Sequence, residues 1–274
     1  MMKTPRLVVV DLDGTVVGHD NTHLAPSPAV VKALAAVRAA GVPVAVATGR
    51  ALWSALRTVD DLGFTDGLHV ASHGAVVYDR ATRRTVHEQY IDPAAAITAY
   101  TAADPEVSFA VEYEARGWVT TIDFKRDFES VWLHTLDLDA LAATRTVRLV
   151  ARVPSLNPYG VGEARCPRAQ AATDGARLDT TVYHAEVGFN GWTDVGPAGA
   201  TKASGLDRVA RAYGVSAADT VVFGDSANDL PMFAWAGHAV AMGQAADSIK
   251  AAADEVAPSV ADDGVAAVLR RWFP

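Results

Sequence analysis

The run Leu7-Val8-Val9-Val10 stops at Asp11-Leu12-Asp13-Gly14-Thr15. Four consecutive apolar, β-branched-rich residues read as a strand buried on both faces, the signature of a parallel sheet covered by helices. The arrangement recurs. Val42-Pro43-Val44-Ala45-Val46-Ala47 ends in Thr48-Gly49-Arg50, and Val221-Val222-Phe223 ends in Gly224-Asp225-Ser226-Ala227-Asn228-Asp229. Open α/β sheets bind their ligands beyond the carboxyl ends of the strands, where these polar clusters fall. Between the first two runs, Pro26-Ser27-Pro28 opens an alanine-rich crossover helix that reaches Ala40 and stops at Gly41. A second helix is expected from Ala51 to Leu62, then a third strand at Leu68-His69-Val70-Ala71, followed by Ser72-His73-Gly74-Ala75-Val76-Val77-Tyr78.

Two close carboxylates, Asp11 and Asp13, repel each other unless a proton or a cation lies between them. A hard divalent ion such as Mg²⁺ suits such oxygens. Lys202 adds a cation at the start of a helical stretch that runs to Tyr213. In chain order the polar clusters thus supply a carboxylate pair, a hydroxyl, a cation and a second acidic pair. With these four motifs in order, the chain resembles the haloacid dehalogenase-like hydrolases, a superfamily made up mostly of magnesium-dependent phosphatases. The resemblance implies Asp11 as nucleophile, forming an aspartyl-phosphate, and Asp13 as the general acid and then the base. It implies Mg²⁺ held by Asp11, the Asp13 backbone carbonyl and Asp225. Asp229 would support the metal by fixing a water or Lys202. Thr48 and the Gly49 N–H would bind phosphoryl oxygens, Lys202 would neutralise charge, and Asn228 would orient the phosphate or a metal-bound water. Thr48 could equally cap the following helix, and Arg50 could be a substrate contact or a surface charge.

The long interval before Lys202 is where a second domain fits; the stretch from Asp13 to Thr48 is filled by a loop and one helix. Strand-like runs occur at Val107–Glu112, Trp118–Ile122, Val147–Val153 and Thr180–His184, and helical candidates at Pro93–Ala102 and Ser130–Ala143. Pro154 to Gly175 is left without an assignment. The expectation is an α/β fold: a Rossmann-like three-layer core with a mainly parallel sheet, residues 1–80 and 190–274, and an inserted α+β cap, residues 81–189. A cap at that position resembles subtype IIB of the superfamily, the Cof-like group with a C2B cap. The tail agrees, with Phe233 to Met242 read as helix end, turn and strand, and Asp262-Asp263-Gly264-Val265 before a last helix. Cof-like proteins usually carry Asn where this chain has His73; in the family that Asn lies near the site entrance and can touch the substrate, and a histidine there can donate or accept a hydrogen bond. His19 and His23 read as loop residues, and Trp118 and Trp192 as packing.

A chain of 274 residues exceeds one typical domain. Its net charge of −8 argues against broad binding to a nucleic-acid backbone. Cys166 is the only cysteine, so disulfides and thiolate metal sites are excluded. The apolar run before Asp11 is too short for a signal peptide, and no segment approaches a membrane span, so a cytoplasmic enzyme acting on a small phosphorylated metabolite is expected. Within the superfamily, Asp13 argues against a metal-free dehalogenase, and the lack of room after Asp13 against a phosphonatase. A phosphomutase of the phosphomannomutase type would use the same motif and remains open. A non-catalytic binding module would have lost at least one of Asp11, Asp13, Lys202 or Asp225.

Overall fold

The computed structural model describes residues 3–18, 25–114, 116–126, 132–154, 166–188 and 191–274. His19 and His23 lie outside them. The chain divides into two compact units, Met1–His87 with Thr201–Pro274, and Glu88–Ala200.

The first unit opens with β1 (Leu7–Val10), α1 (Pro28–Ala39), β2 (Val44–Val46), α2 (Leu52–Asp61), β3 (Leu68–Ala71), β4 (Val76–Asp79) and β5 (Arg84–Glu88). The second holds α3 (Ala94–Ala103), β6 (Ser108–Tyr113), β7 (Gly117–Thr120), β8 (Leu133–Thr135), α4 (Leu138–Ala142), β9 (Leu149–Arg152), α5 (Pro167–Ala176), β10 (Tyr183–Val187) and β11 (Trp192–Pro197). The chain then returns to the first through α6 (Lys202–Tyr213), β12 (Thr220–Gly224), α7 (Leu230–Trp235), β13 (His238–Ala241), α8 (Asp247–Lys250), β14 (Glu255–Val256) and α9 (Gly264–Leu269).

In the first unit a five-stranded sheet runs in the order β14-β13-β12-β1-β2, every pair parallel. An isolated parallel bridge between Ala47 and Val70 sets β3 beside β2, and β3 also leads the smaller β3-β4-β5 sheet. Alternation along β1 builds both apolar layers. Val8 and Val10 pack with α1 and α9, whereas Leu7 and Val9 pack with α6 and α7. From β1 the chain moves outward to β2 and later returns to the other side of β1 as β12. The reversal of strand order therefore lies between β1 and β12, and a crevice is expected beyond their carboxyl ends.

The second unit is a six-stranded sheet, β10-β11-β9-β6-β7-β8, antiparallel except for β7 and β8. One face packs against α3 and α5. The other carries Glu112, Trp118, Arg148, Arg152, Trp192 and Asp194. There Arg148 lies 3.1 Å from Glu112, 3.4 Å from Asp194 and 4.9 Å from the Trp118 ring centroid, while Trp118 and Trp192 meet edge to face. Both tryptophans are packing residues in this layer.

The structure departs from the sequence reading in several places. The division moves from residues 81 and 189 to 88 and 200, because β5 pairs with β4 and β11 pairs with β9 and β10. Ser130–Ala143 is not one helix: Leu133–Thr135 pairs with β7, and Asp137 caps the short α4 by accepting from Ala140 N at 2.8 Å. The start of that stretch, residues 130 and 131, lies outside the described residues. The unassigned stretch holds all but the last residue of α5, whose Pro167 sits in the first turn. Among the described residues, no helix is long and apolar enough to cross a membrane.

Candidate active site

Asp11 follows β1 directly, and its backbone N–H continues the ladder by donating to Phe223 O at 3.0 Å. Leu12 turns into the core, and its carbonyl accepts from Val16 and Val17 N at 2.9 Å. Gly14 sits at φ +77°, the left-handed backbone this tight loop requires. Gln244 Nε2 donates to Gly14 O and thereby ties the loop to the C-terminal segment.

Lys202 starts α6. Thr201 and Ser204 cap that helix reciprocally: Ser204 N donates to Thr201 Oγ1 at 3.1 Å and Thr201 N to Ser204 Oγ at 3.0 Å. Two glycines let α6 approach closely. A Cβ on Gly74 would lie 1.9 Å from Thr201 O, and one on Gly205 2.5 Å from Val70 Cγ1. The Lys202 side chain is only 1% exposed, and its Nζ donates to Asp11 Oδ1 at 2.7 Å and to Asp229 Oδ1 at 2.6 Å.

Asp229 folds back over the end of β12. Its Oδ2 accepts from Asp225 N at 2.9 Å and Ser226 N at 3.0 Å. The turn is possible because residue 224 is glycine; a Cβ there would lie 2.4 Å from Asp229 Cγ. Carboxylate oxygens of Asp11, Asp225 and Asp229 all lie within 4.8 Å of one another, and all three residues are buried. Three carboxyl groups thus gather about one ammonium, an excess of two negative charges when all are ionised. Burial pushes the Asp11 carboxyl well above the usual carboxylate range; Lys202 pulls it down, and Asp229, Asp225 and Asp13 push it up again. Burial alone would lower Lys202, but Asp11 and Asp229 more than offset it and hold the ammonium above its ordinary range. The all-oxygen donor set and its charge fit a hard divalent cation.

The Asp13 side chain lies outside that carboxylate group. It meets Arg50: Nε donates to Oδ2 at 2.8 Å and a terminal nitrogen to Oδ1 at 2.5 Å. Thr48 is buried and does not cap α2, whose first residue follows Ala51; its Oγ1 accepts from Arg50 N at 3.1 Å. The Thr48–Arg50 turn locks into the turn after β3, as His73 N donates to Thr48 O at 3.2 Å and Ser72 N to Arg50 O at 2.8 Å. The His73 ring lies on Gly49, with Cε1 2.6 Å from where a Cβ would be. Asn228 Oδ1 accepts from Ser226 Oγ at 3.0 Å and takes no part in the Lys202 network. Sequence reasoning missed the positioning roles of Gly224, of Gln244, and of Thr58, whose Oγ1 accepts from the Arg50 guanidinium at 3.1 Å. Gly224 alone carried a signal, a glycine at a strand end where another group can approach closely.

The haloacid dehalogenase-like hydrolase family matches residues 8–153 and 167–269. An HMP-PP phosphatase of Serratia proteamaculans is 27% identical over 98% of this chain and 95% of its own length. A 5-amino-6-(5-phospho-D-ribitylamino)uracil phosphatase of Bacillus subtilis, YitU, is 40% identical over 75 residues, which span 28% of that protein and 27% of this chain. A solved HAD subclass IIB sugar phosphatase shares the fold with a TM-score of 0.78 at 21% identity, over 97% of this chain and 98% of its own. With the match covering both stretches of the core and most of the inserted unit, and with the acidic residues gathered beyond the carboxyl ends of β1 and β12, the chain belongs to the haloacid dehalogenase-like hydrolases.

Proposed function

We propose that the chain hydrolyses small phosphomonoesters with Mg²⁺, through an aspartyl-phosphate on Asp11. One observation carries this reading: the buried Asp11 carboxylate is held by Lys202 at the carboxyl end of β1, beside Asp225 and Asp229. A phosphate dianion would be repelled by such a site without added positive charge. When bound, Mg²⁺ would offset the excess carboxylate charge and stabilise charge on the transferring group. Asp11, Asp225 and the Asp13 backbone carbonyl would hold it, while Asp229 fixes Lys202 and the Asp225 backbone.

Asp11 attacks phosphorus, and Asp13 gives a proton to the leaving oxygen. Asp13 then takes a proton from the water that attacks the acyl-phosphate, which releases phosphate and restores Asp11. Thr48 already accepts from Arg50 N, so its hydroxyl hydrogen can turn to a phosphoryl oxygen, and Gly49 N–H is a second donor. Asn228 would orient the phosphate. The phosphatase names of the relatives support transfer to water over transfer to a sugar hydroxyl, and a small phosphorylated metabolite as substrate. A cytoplasmic location belongs to the same reading, supported by a single cysteine that has no partner for an internal disulfide.

The test is phosphate release from p-nitrophenyl phosphate and a panel of metabolite phosphomonoesters, with and without EDTA. Asp11→Asn is expected to lower kcat by several powers of ten, up to about 10⁶, the scale seen when a covalent nucleophile is lost. Undiminished turnover in that variant excludes the covalent route.

A further inference from the structure

We propose that Arg50 is a positioning residue for Asp13, fixing the plane of its carboxylate so that it can exchange a proton with the leaving oxygen and with water. The proposal rests on the phosphatase reading, because it gives Arg50 its effect through the acid–base residue of that reaction.

All three guanidinium nitrogens are engaged within the first unit. Nε and one terminal nitrogen grip the two oxygens of Asp13 at 2.8 and 2.5 Å, the forked two-bond geometry specific to arginine. The remaining nitrogen donates to Thr58 Oγ1 at 3.1 Å, and Thr58 is buried on α2. The other end of the residue is pinned as well: Arg50 N donates to Thr48 Oγ1 and Arg50 O accepts from Ser72 N. A side chain fixed at its backbone, its middle and its tip cannot wander. Asp13 does need fixing, since its side chain is 38% exposed and no other described side chain bonds it. Two parallel hydrogen bonds define the carboxylate plane, which one bond does not. The fork takes one lone pair of each Asp13 oxygen, so each keeps another that can carry the proton given to the leaving oxygen or accept one from water. A lysine at residue 50 would keep the charge but present a single donor centre, without the fork.

Arg50→Lys is therefore expected to lower kcat on an alkyl phosphate by roughly 10- to 100-fold, as for misplaced catalytic groups, with KM within about threefold of wild type. Thr58→Val, close to isosteric, should give a smaller loss of the same kind, and it keeps the proposal testable if Arg50→Lys does not fold. In a double-mutant cycle, adding Arg50→Lys to Asp13→Asn should lower kcat by less than about threefold more, because the residue through which Arg50 acts is already gone. Crystal structures of Arg50→Lys and wild type read the same proposal without activity: Asp13 should leave its wild-type rotamer. Multiplicative effects in the cycle, a KM effect with kcat intact, or an unmoved Asp13 would each overturn it. Absence of phosphate release by the wild-type protein across the whole panel, by contrast, sinks the phosphatase reading and leaves the rotamer measurement to judge Arg50.

Discussion

Gly224→Ala isolates one atom. Gly224 lies in β12 with an ordinary strand backbone, so alanine brings no conformational strain. Its Cβ would stand 2.4 Å from Asp229 Cγ and 2.6 Å from Asp229 Oδ2. Carbon atoms pack at about 3.5–4.0 Å, so the Asp229 carboxylate must retreat by about 1 Å. Its bonds from Asp225 N and Ser226 N now measure 2.9 and 3.0 Å, and such a retreat takes both beyond hydrogen-bonding range. Lys202 loses or follows one of its two carboxylates. Hydrogen bonds to charged groups contribute about 1.5–3 kcal/mol each and overpacking costs about 1–3 kcal/mol; with partial relaxation the expected destabilisation is about 2–4 kcal/mol. Displacing Lys202 by about 1 Å from Asp11 should lower kcat roughly 100-fold. Urea unfolding followed by tryptophan fluorescence and turnover of p-nitrophenyl phosphate read the two effects. Gly196→Ala is the control, since its Cβ would meet only Val147 O at 3.9 Å and should be near neutral. A Gly224→Ala protein with an unchanged urea midpoint and kcat within twofold refutes the close-approach account of Asp229.

Asp13→Ala should still be phosphorylated by p-nitrophenyl phosphate, whose leaving group needs little protonation, and then stall; rapid quench should show a burst, and steady turnover without one removes Asp13 from the second step. His73→Asn should reorder preference among natural substrates yet keep p-nitrophenyl phosphate turnover within about tenfold, equivalent to about 1.4 kcal/mol; equal collapse on every substrate would make His73 catalytic. His69 is buried, its Nδ1 accepting from Val46 N at 3.2 Å, and burial lowers it from 6.5 to about 4. The unfolded chain therefore binds more protons between those values, so stability should fall as pH drops from 6.5 through 4, by roughly 3 kcal/mol in all, and His69→Gln should flatten that part of the stability profile measured by urea unfolding.

The core strands were legible because burial on both faces leaves unbroken apolar runs, as in Leu7–Val10 and Val221–Phe223. The second unit was harder to read for a physical reason. Its sheet hides one face behind helices and fills the other with charged and aromatic residues that are themselves buried, Glu112 and Arg148 among them. There, polarity stops reporting exposure. Trp192-Thr193-Asp194-Val195-Gly196-Pro197 therefore did not read as a strand, although it is paired on both sides. Leu133–Thr135, a short edge strand before a capped helix, merged with that helix into one expected segment.

At the site, residue types and strand ends were visible in the sequence, and the family resemblance offered Lys202 as one of two partners for Asp229, but the partner of Asp13 was not visible. Asp13 and Arg50 lie on different loops, and only the pairing of β1 with β2 brings those loops together. The ring of His73 shows how far such a limit extends. Ser72, His73 and Gly74 take φ values of +49°, +56° and +109°, three left-handed residues in succession. Asn and His are both enriched in that region relative to other side chains, so this backbone suits either residue. It does not explain the choice between them. That lies in the side chain, because the imidazole covers Gly49 and an Asn amide would present different atoms and a smaller volume. Backbone demand therefore limits which residues can occupy position 73, and the side chain chosen decides which atoms are laid against the Thr48–Arg50 turn.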